Sequence, residues 1–132
     1  MTHRTTAETI DRFNHVFVNH DPAALDDLVA EDCVMEAIQP APNGARYEGR
    51  EANLTFWRAL AEDRSTQFEV EDVVVAGDNA TIRFRYHFGE ALAESVRGVN
   101  LVRVRDGKIV EALAYSKTPG EVPLAAMDDS VE

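Results

Sequence analysis

Apolar residues recur with a helical period in the first half of the chain and with an alternating period after residue 65. In "TTAETIDRFNHVFVNH", Ile10, Phe13 and Phe17 share one face, and Thr5 and Glu8 have capping-box spacing. "NHDPAALDDLVAEDC" predicts a second, short helix with Asp21 as N-cap, Pro22 at its first position and Leu25, Leu28 and Val29 as its buried stripe. "CVMEAI" predicts a short strand, and the proline- and glycine-bearing "QPAPNGARYEG" a loop. "REANLTFWRALAED" predicts a third helix with Leu54, Trp57, Leu60 and Ala61 on one side. Beyond it, "TQFEVEDVVVAGDNATIRFRYHFG" reads as two strands around a Gly-Asp-Asn turn. Ala80, Ile82, Phe84, Tyr86 and Phe88 alternate with Thr81, Arg83, Arg85 and His87. Helices first and strands afterwards predict an α+β fold with an antiparallel sheet. The expected division is one domain over 1–118 and a loose, acidic tail over 119–132.

The last strands carry the most specific local signal. In "RGVNLVRVRDGKIVEALAYSK", Asp106-Gly107 predicts a two-residue hairpin turn that pairs Arg105 with Lys108. Unbroken pairing from there sets Leu101 opposite Ala112, Val99 opposite Ala114 and Arg97 opposite Ser116 on one face. The other face then carries Asn100, Leu113 and Tyr115. Small alanines opposite Val99 and Leu101 leave room for a closely packed helix or for a ligand. An inward Arg97 needs an acidic partner, open water or an anionic ligand, because an unpaired buried charge is strongly destabilising. Arg97 therefore reads either as a solvated or ion-paired strand end, or as a donor in an apolar pocket aimed at a carboxylate, enolate or carbonyl oxygen.

Composition narrows the setting. The chain has 132 residues, 45% of them hydrophobic, enough for one domain with a sizeable core. A formal net charge of −11 argues against nucleic acid and anionic membranes as partners. A single cysteine, Cys33, rules out an intrachain disulfide and fits a reducing compartment. No apolar run has the length of a membrane span and the N-terminus lacks a signal core, so the expectation is a soluble, cytoplasmic protein. His3, His15 and His20 show no metal-ligand spacing, and no zinc motif or glycine-rich phosphate loop is present.

Three stretches, "NHDPAALDDLVAEDCVME", "YEGREANLTFWRAL" and "RGVNLVRVRDGKIVEALAYS", resemble by their order and spacing the SnoaL-like branch of the nuclear transport factor 2-like superfamily. The resemblance implies a cone-shaped α+β roll: three N-terminal helices packed in a strongly curved, mostly antiparallel sheet, with a pocket at the wide end. It also implies a homodimer through the outer sheet face. Such folds host isomerases, cyclases, hydrolases and binding domains, so fold alone leaves function open. Against family ketosteroid isomerases, the helix tyrosine position falls on Phe13, the base aspartate on Ala37 and the second aspartate on Arg97. The acid of limonene-epoxide-hydrolase-type members falls at about Ala114. Neither catalytic set is retained. Phe13, Phe17, Met35, Trp57, Phe84, Val99 and Arg97 fall where family members line their pocket.

Candidate chemistry follows from these positions. Glu36 is the candidate base, with a proton affinity that an apolar pocket would raise. Strict alternation lets only one of Met35 and Glu36 face the pocket. Arg97 and Tyr47 are candidate stabilisers of negative charge. Phe13, Asn14, Phe17, Met35, Trp57 and Phe84 are candidate ligand contacts, with Val99, Leu101, Ala112, Ala114 and Ser116 from the hairpin. His87 falls on the polar face, and Cys33 reads as a small core residue. Three roles are compatible with this reading. One is cofactor-free acid–base catalysis, of isomerase, cyclase, lyase or hydrolase type, on a largely apolar carbonyl or acidic metabolite. Another is non-catalytic binding of such a metabolite, and the third is a structural dimer with a filled core and no ligand.

Overall fold

Helix α1 (Thr6–Val18) starts where its cap predicts. The Thr5 hydroxyl accepts the Glu8 amide at 3.1 Å, and the Glu8 carboxylate accepts the Thr5 amide at 2.9 Å. The computed structural model describes residues 3–40 and 43–117, so the expected domain boundary at 118 and the tail lie outside the described residues. After α1 the chain forms only a 3-10 turn, Pro22–Leu25, in place of the expected second helix. The reason is length: strand β1 (Val29–Glu36) already begins at Val29, and so short a segment cannot sustain an α-helix. Leu25 and Leu28 are nevertheless fully buried, as their spacing demands. Strand β2 (Arg46–Glu48) then forms within the expected loop, and helix α2 (Arg50–Glu62) matches the third predicted helix. The described residues therefore contain two α-helices, not three.

Among the described residues, the regular elements after α2 are four strands and a 3-10 turn over Leu92–Glu94. Strands β3 (Gln67–Ala76), β4 (Asn79–His87), β5 (Ser95–Arg105) and β6 (Lys108–Ser116) join β1 and β2 in one sheet, ordered β2-β1-β6-β5-β4-β3. Every neighbouring pair is antiparallel except β1 with β6. The register shifts within β3, within β6 and within β1, and such bulges bend a strand and sharpen its twist. The helices pack on the inner face, joining Ile10, Phe13, Leu54 and Trp57 to Ile82, Val102, Val104 and Ile109 in a single core. Among the described residues, no helix is long and apolar enough to cross a membrane.

The hairpin register departs from the unbroken pairing. Asp106 and Gly107 have φ of 53° and 75°, the positive values a tight two-residue hairpin turn requires. Arg105 pairs with Lys108 and Val104 with Ile109, but Arg103 then pairs with Glu111, leaving Val110 as an extra residue. Each later partner moves by one, which exchanges the faces of β5 relative to β6. Val102 thus faces Ala112, Asn100 faces Ala114 and Gly98 faces Ser116. Arg97, Val99 and Leu101 take the outer side, and Leu101 is 42% exposed.

Candidate functional site

Between the two helices and the inner sheet face lies a cavity of about 320 Å³. Its helical wall is Phe13, Asn14 and Phe17 of α1 with Phe56, Trp57 and Leu60 of α2. Phe13 meets Phe17 and Trp57 edge-on, each at 5.1 Å between ring centroids. The aromatic wall continues onto the sheet through Phe68, whose ring lies 5.6 Å from Phe17, 5.4 Å from Phe84 and 4.8 Å from Tyr86. Such tilted and edge-on contacts hold the rings in defined positions around the space.

The sheet supplies a floor of small residues. Ala112 and Ala114 of β6 line the cavity beside Met35 of β1 and Ile82 of β4. Gly98 is required by close approach: a Cβ there would lie 2.6 Å from Cζ of Phe84 and 2.7 Å from the Tyr115 carbonyl oxygen. The Phe84 ring therefore crosses β5 at the glycine, and the alanines beside it leave the space open.

Few polar groups enter this apolar space. Asn14, Gln39, Tyr86, Asn100 and Ser116 line it, with Lys117 at the exposed strand end. Among the described lining residues there is no Asp, Glu, His or Arg. The carboxamides of Asn14 and Asn100 are half-buried and make no hydrogen bond to a described protein group. Cys33 is buried in the core behind this wall, where burial, aided by the charge of Asp32, pushes its thiol up to about 12 and leaves it un-ionised.

Of the ligand contacts expected from sequence, Phe13, Asn14, Phe17, Met35, Trp57 and Phe84 line the cavity, as do Ala112, Ala114 and Ser116. Val99 and Leu101 do not, because the bulge at Val110 turns them outward. The same shift puts Arg97 on the outer face, correcting its expected inward placement. Its guanidinium makes two contacts of 3.1 Å to the carboxylate of Glu71 and is more than half exposed. Glu36 is also outside the cavity lining: alternation gives the inner face to Met35, and Glu36 pairs with Arg46 at 3.4 Å. Tyr47 packs tilted against Phe56, 4.9 Å between ring centroids, and edges a shallow groove along α2 rather than the cavity. The structure therefore does not bring Glu36, Arg97 and Tyr47 together at one site. His87 lies on the polar side, 3.0 Å from Glu69.

Sequence reasoning missed Phe56, Phe68 and Val70 as lining residues and placed Asn100 on the wrong face. Phe68 and Val70 were legible as alternating apolar positions in "TQFEVEDV". Asn100 was legible only by noting that Arg97, Arg103 and Arg105 share odd positions while Val96, Val102 and Val104 share even ones.

Comparison with known proteins places this architecture. An NTF2-like protein of unknown function from Mesorhizobium loti is 55% identical, over 86% of this chain and 91% of that one, with a TM-score of 0.79. A candidate polyketide cyclase from Sinorhizobium meliloti is 25% identical over 81% of this chain and 93% of its own, with a TM-score of 0.66. IdmH, a candidate polyketide cyclase from Streptomyces antibioticus, is 27% identical over 86% and 93%, with a TM-score of 0.65. No functionally curated protein matches significantly. The SnoaL-like domain family matches residues 10–112, most of the described sheet and both helices, and the chain belongs to that family, within the nuclear transport factor 2-like fold.

Proposed function

We propose that this protein binds a small, largely apolar molecule in the aromatic-walled cavity. The observation that carries the reading is the floor of Ala112 and Ala114 beneath rings of Phe13, Phe17 and Trp57. Empty apolar volume destabilises a core by about 24 cal/mol per Å³, so a sequence selected only for stability would fill it. The cavity's size and its sparse polar groups also match small-molecule sites in general. A thermal-shift screen of neutral alicyclic and aromatic compounds tests this. Hits should raise the unfolding midpoint of the wild type and lose that effect in Ala114→Phe, whose ring occupies the space. No hit, or hits unaffected by the substitution, would contradict the proposal.

A second reading, cofactor-free catalysis in the same cavity, is favoured by the similarity to two candidate polyketide cyclases. Walls that hold a flexible oxygenated chain in a folded shape bring reacting carbons together, and an amide N–H can stabilise negative charge developing on oxygen. Deuterium exchange at the α-carbon of a bound ketone, followed by NMR, separates the two readings. Acceleration over buffer favours catalysis, and an unchanged rate favours binding alone.

The outer face suits a second copy of the chain. Val74, Thr81, Leu101 and Leu113 form a row across four strands, with Val99 and Tyr115 beside it. Charges around that row are already paired within the chain, as Arg97–Glu71, Arg83–Asp72 and Arg103–Glu111. An apolar centre with an internally neutralised rim favours self-association through a two-fold axis.

A further inference from the structure

We infer that His20 is a proton-operated clasp: with both ring nitrogens protonated it ties α1, α2 and β3 together beside the cavity, and loss of one proton breaks one of its two bonds. The ring lies 2.9 Å by Nδ1 from the Ala61 carbonyl oxygen and 2.9 Å by Nε2 from Oε1 of Gln67. Both partners are acceptors. A main-chain carbonyl cannot donate, and the Gln67 amide is oriented by its own nitrogen, which donates to the carbonyls of Val18 at 2.9 Å and Phe68 at 3.0 Å. Turning that amide round would set its oxygen against two carbonyl oxygens. Only the imidazolium carries a proton on each ring nitrogen, so only the cation satisfies both acceptors. Val18 and Phe68 line the cavity, as does Leu60 beside Ala61, and the clasp therefore holds three segments of the cavity wall. It does so whether or not the cavity holds a ligand.

The backbone carries a second, independent sign. His20 has a φ of 52°, in the left-handed region, and follows Asn19, the C-cap of α1. The Asp21 amide donates to the Val16 carbonyl at 2.9 Å, completing a helix end at which glycine is the favoured residue. A histidine there strains the backbone where a glycine would not, and its two side-chain bonds are what the position gains in return. The surroundings suit a cation. Ala61 lies in the last turn of α2 and α1 ends at Val18, so the negative ends of two helices lie beside the ring. Asp63, just beyond α2, feels this charge: hydrogen bonds from the Ser65 hydroxyl and amide hold its carboxyl below the ordinary value, and His20 adds to the effect. Glu62 and Arg64, on either side of Asp63, are exposed. The nearby Asp21 is paired with His15, and Glu69 of β3 with His87, each at 3.0 Å.

Two measurements test the clasp. The first needs no variant: in a pH titration followed by nitrogen-resolved NMR, the side-chain amide of Gln67 is expected to shift with the same midpoint as the His20 ring. A Gln67 amide that does not follow the ring, or a ring that is a single neutral tautomer at about pH 5.5, would overturn the inference. The second compares thermal unfolding of the wild type, His20→Asn and His20→Gly at about pH 5.5 and about pH 9, on either side of the ordinary histidine value of about 6.5. Asparagine and glycine both accept the left-handed backbone, and neither titrates. A bond that only the cation makes contributes stability at the lower pH and loses it as pH rises. The His20→Asn midpoint is therefore expected about 3–6 °C below wild type at the lower pH, with less than about half of that difference left at the higher one. His20→Gly is expected to show the same pH change on top of a constant offset from its relaxed backbone. No loss in His20→Asn at the lower pH, or a wild-type-to-variant difference that stays the same or grows as pH rises, would overturn the clasp.

Discussion

Asn53 shows how much one polar side chain can organise. It is fully buried, and its amide nitrogen donates to the carbonyls of Cys33 at 3.1 Å, Tyr47 at 3.3 Å and Gly49 at 2.8 Å. It thereby ties α2 to β1 and β2 on the wall that carries Trp57. Asn53→Ala removes these side-chain bonds, although the Cys33 and Gly49 carbonyls keep backbone donors from Gly49 and residue 53, and urea unfolding should show a loss of about 1–2 kcal/mol. A loss below about 0.5 kcal/mol would mean that water replaces the side chain. Nothing in the sequence marked this residue, because an asparagine in a helix pattern is indistinguishable from a surface one until its partners are known. Asp27 carries a pH prediction. Burial alone would push its carboxyl up, but hydrogen bonding and charge from Arg4, with the charge of Arg12, hold it below the ordinary value. A carboxyl depressed in the folded state contributes stability above its unfolded pKa of about 3.9 and loses that contribution as pH falls through the folded value. The stability difference between wild type and Asp27→Asn should therefore be present at neutral pH and shrink on acidification below about pH 4. A difference unchanged down to the folded value would contradict it.

At the level of elements, α1, α2 and the inward face of β4 were legible in the sequence. Their apolar residues repeat without interruption over several turns or alternations, as Ala80, Ile82 and Phe84 do. The β5–β6 face was not legible from the turn alone. Asp106-Gly107 sets the first two pairs, and one extra residue at Val110 reverses every face assignment beyond them. Two adjacent buried apolar residues, Ile109 and Val110, are the trace this bulge leaves in the sequence. The register has its own test at Gly98. Gly98→Val forces side-chain atoms against the Phe84 ring and the Tyr115 carbonyl and should cost about 1–3 kcal/mol in chemical unfolding. An unfolding free energy equal to wild type would mean that β5 does not sit as described.

At the scale of the whole molecule, the bent sheet has two faces of different chemistry, an inner one on the cavity and an outer one bearing Leu101. The outer row around Leu101 is expected to hold two copies together, so Leu101→Glu should shift sedimentation from dimer to monomer while leaving the fold intact. A monomeric wild type would remove this role. The location of the cavity was legible from the family resemblance and the aromatic pattern, since Phe13, Phe17, Met35, Trp57 and Phe84 all line it. Its polar chemistry was not, because Asn100 and Arg97 exchange faces with the bulge. The inner face supports the central claim, and the chain's single tryptophan reports on it directly: Trp57 is buried at 4% exposure in the cavity wall. The decisive measurement is titration of Trp57 emission with 2-decalone in the wild type and in Ala114→Phe. Ligand binding between the helices and the sheet predicts a saturable change in the wild type that is absent in the folded variant. No saturable change in the wild type, or the same saturation curve in both proteins, would contradict it.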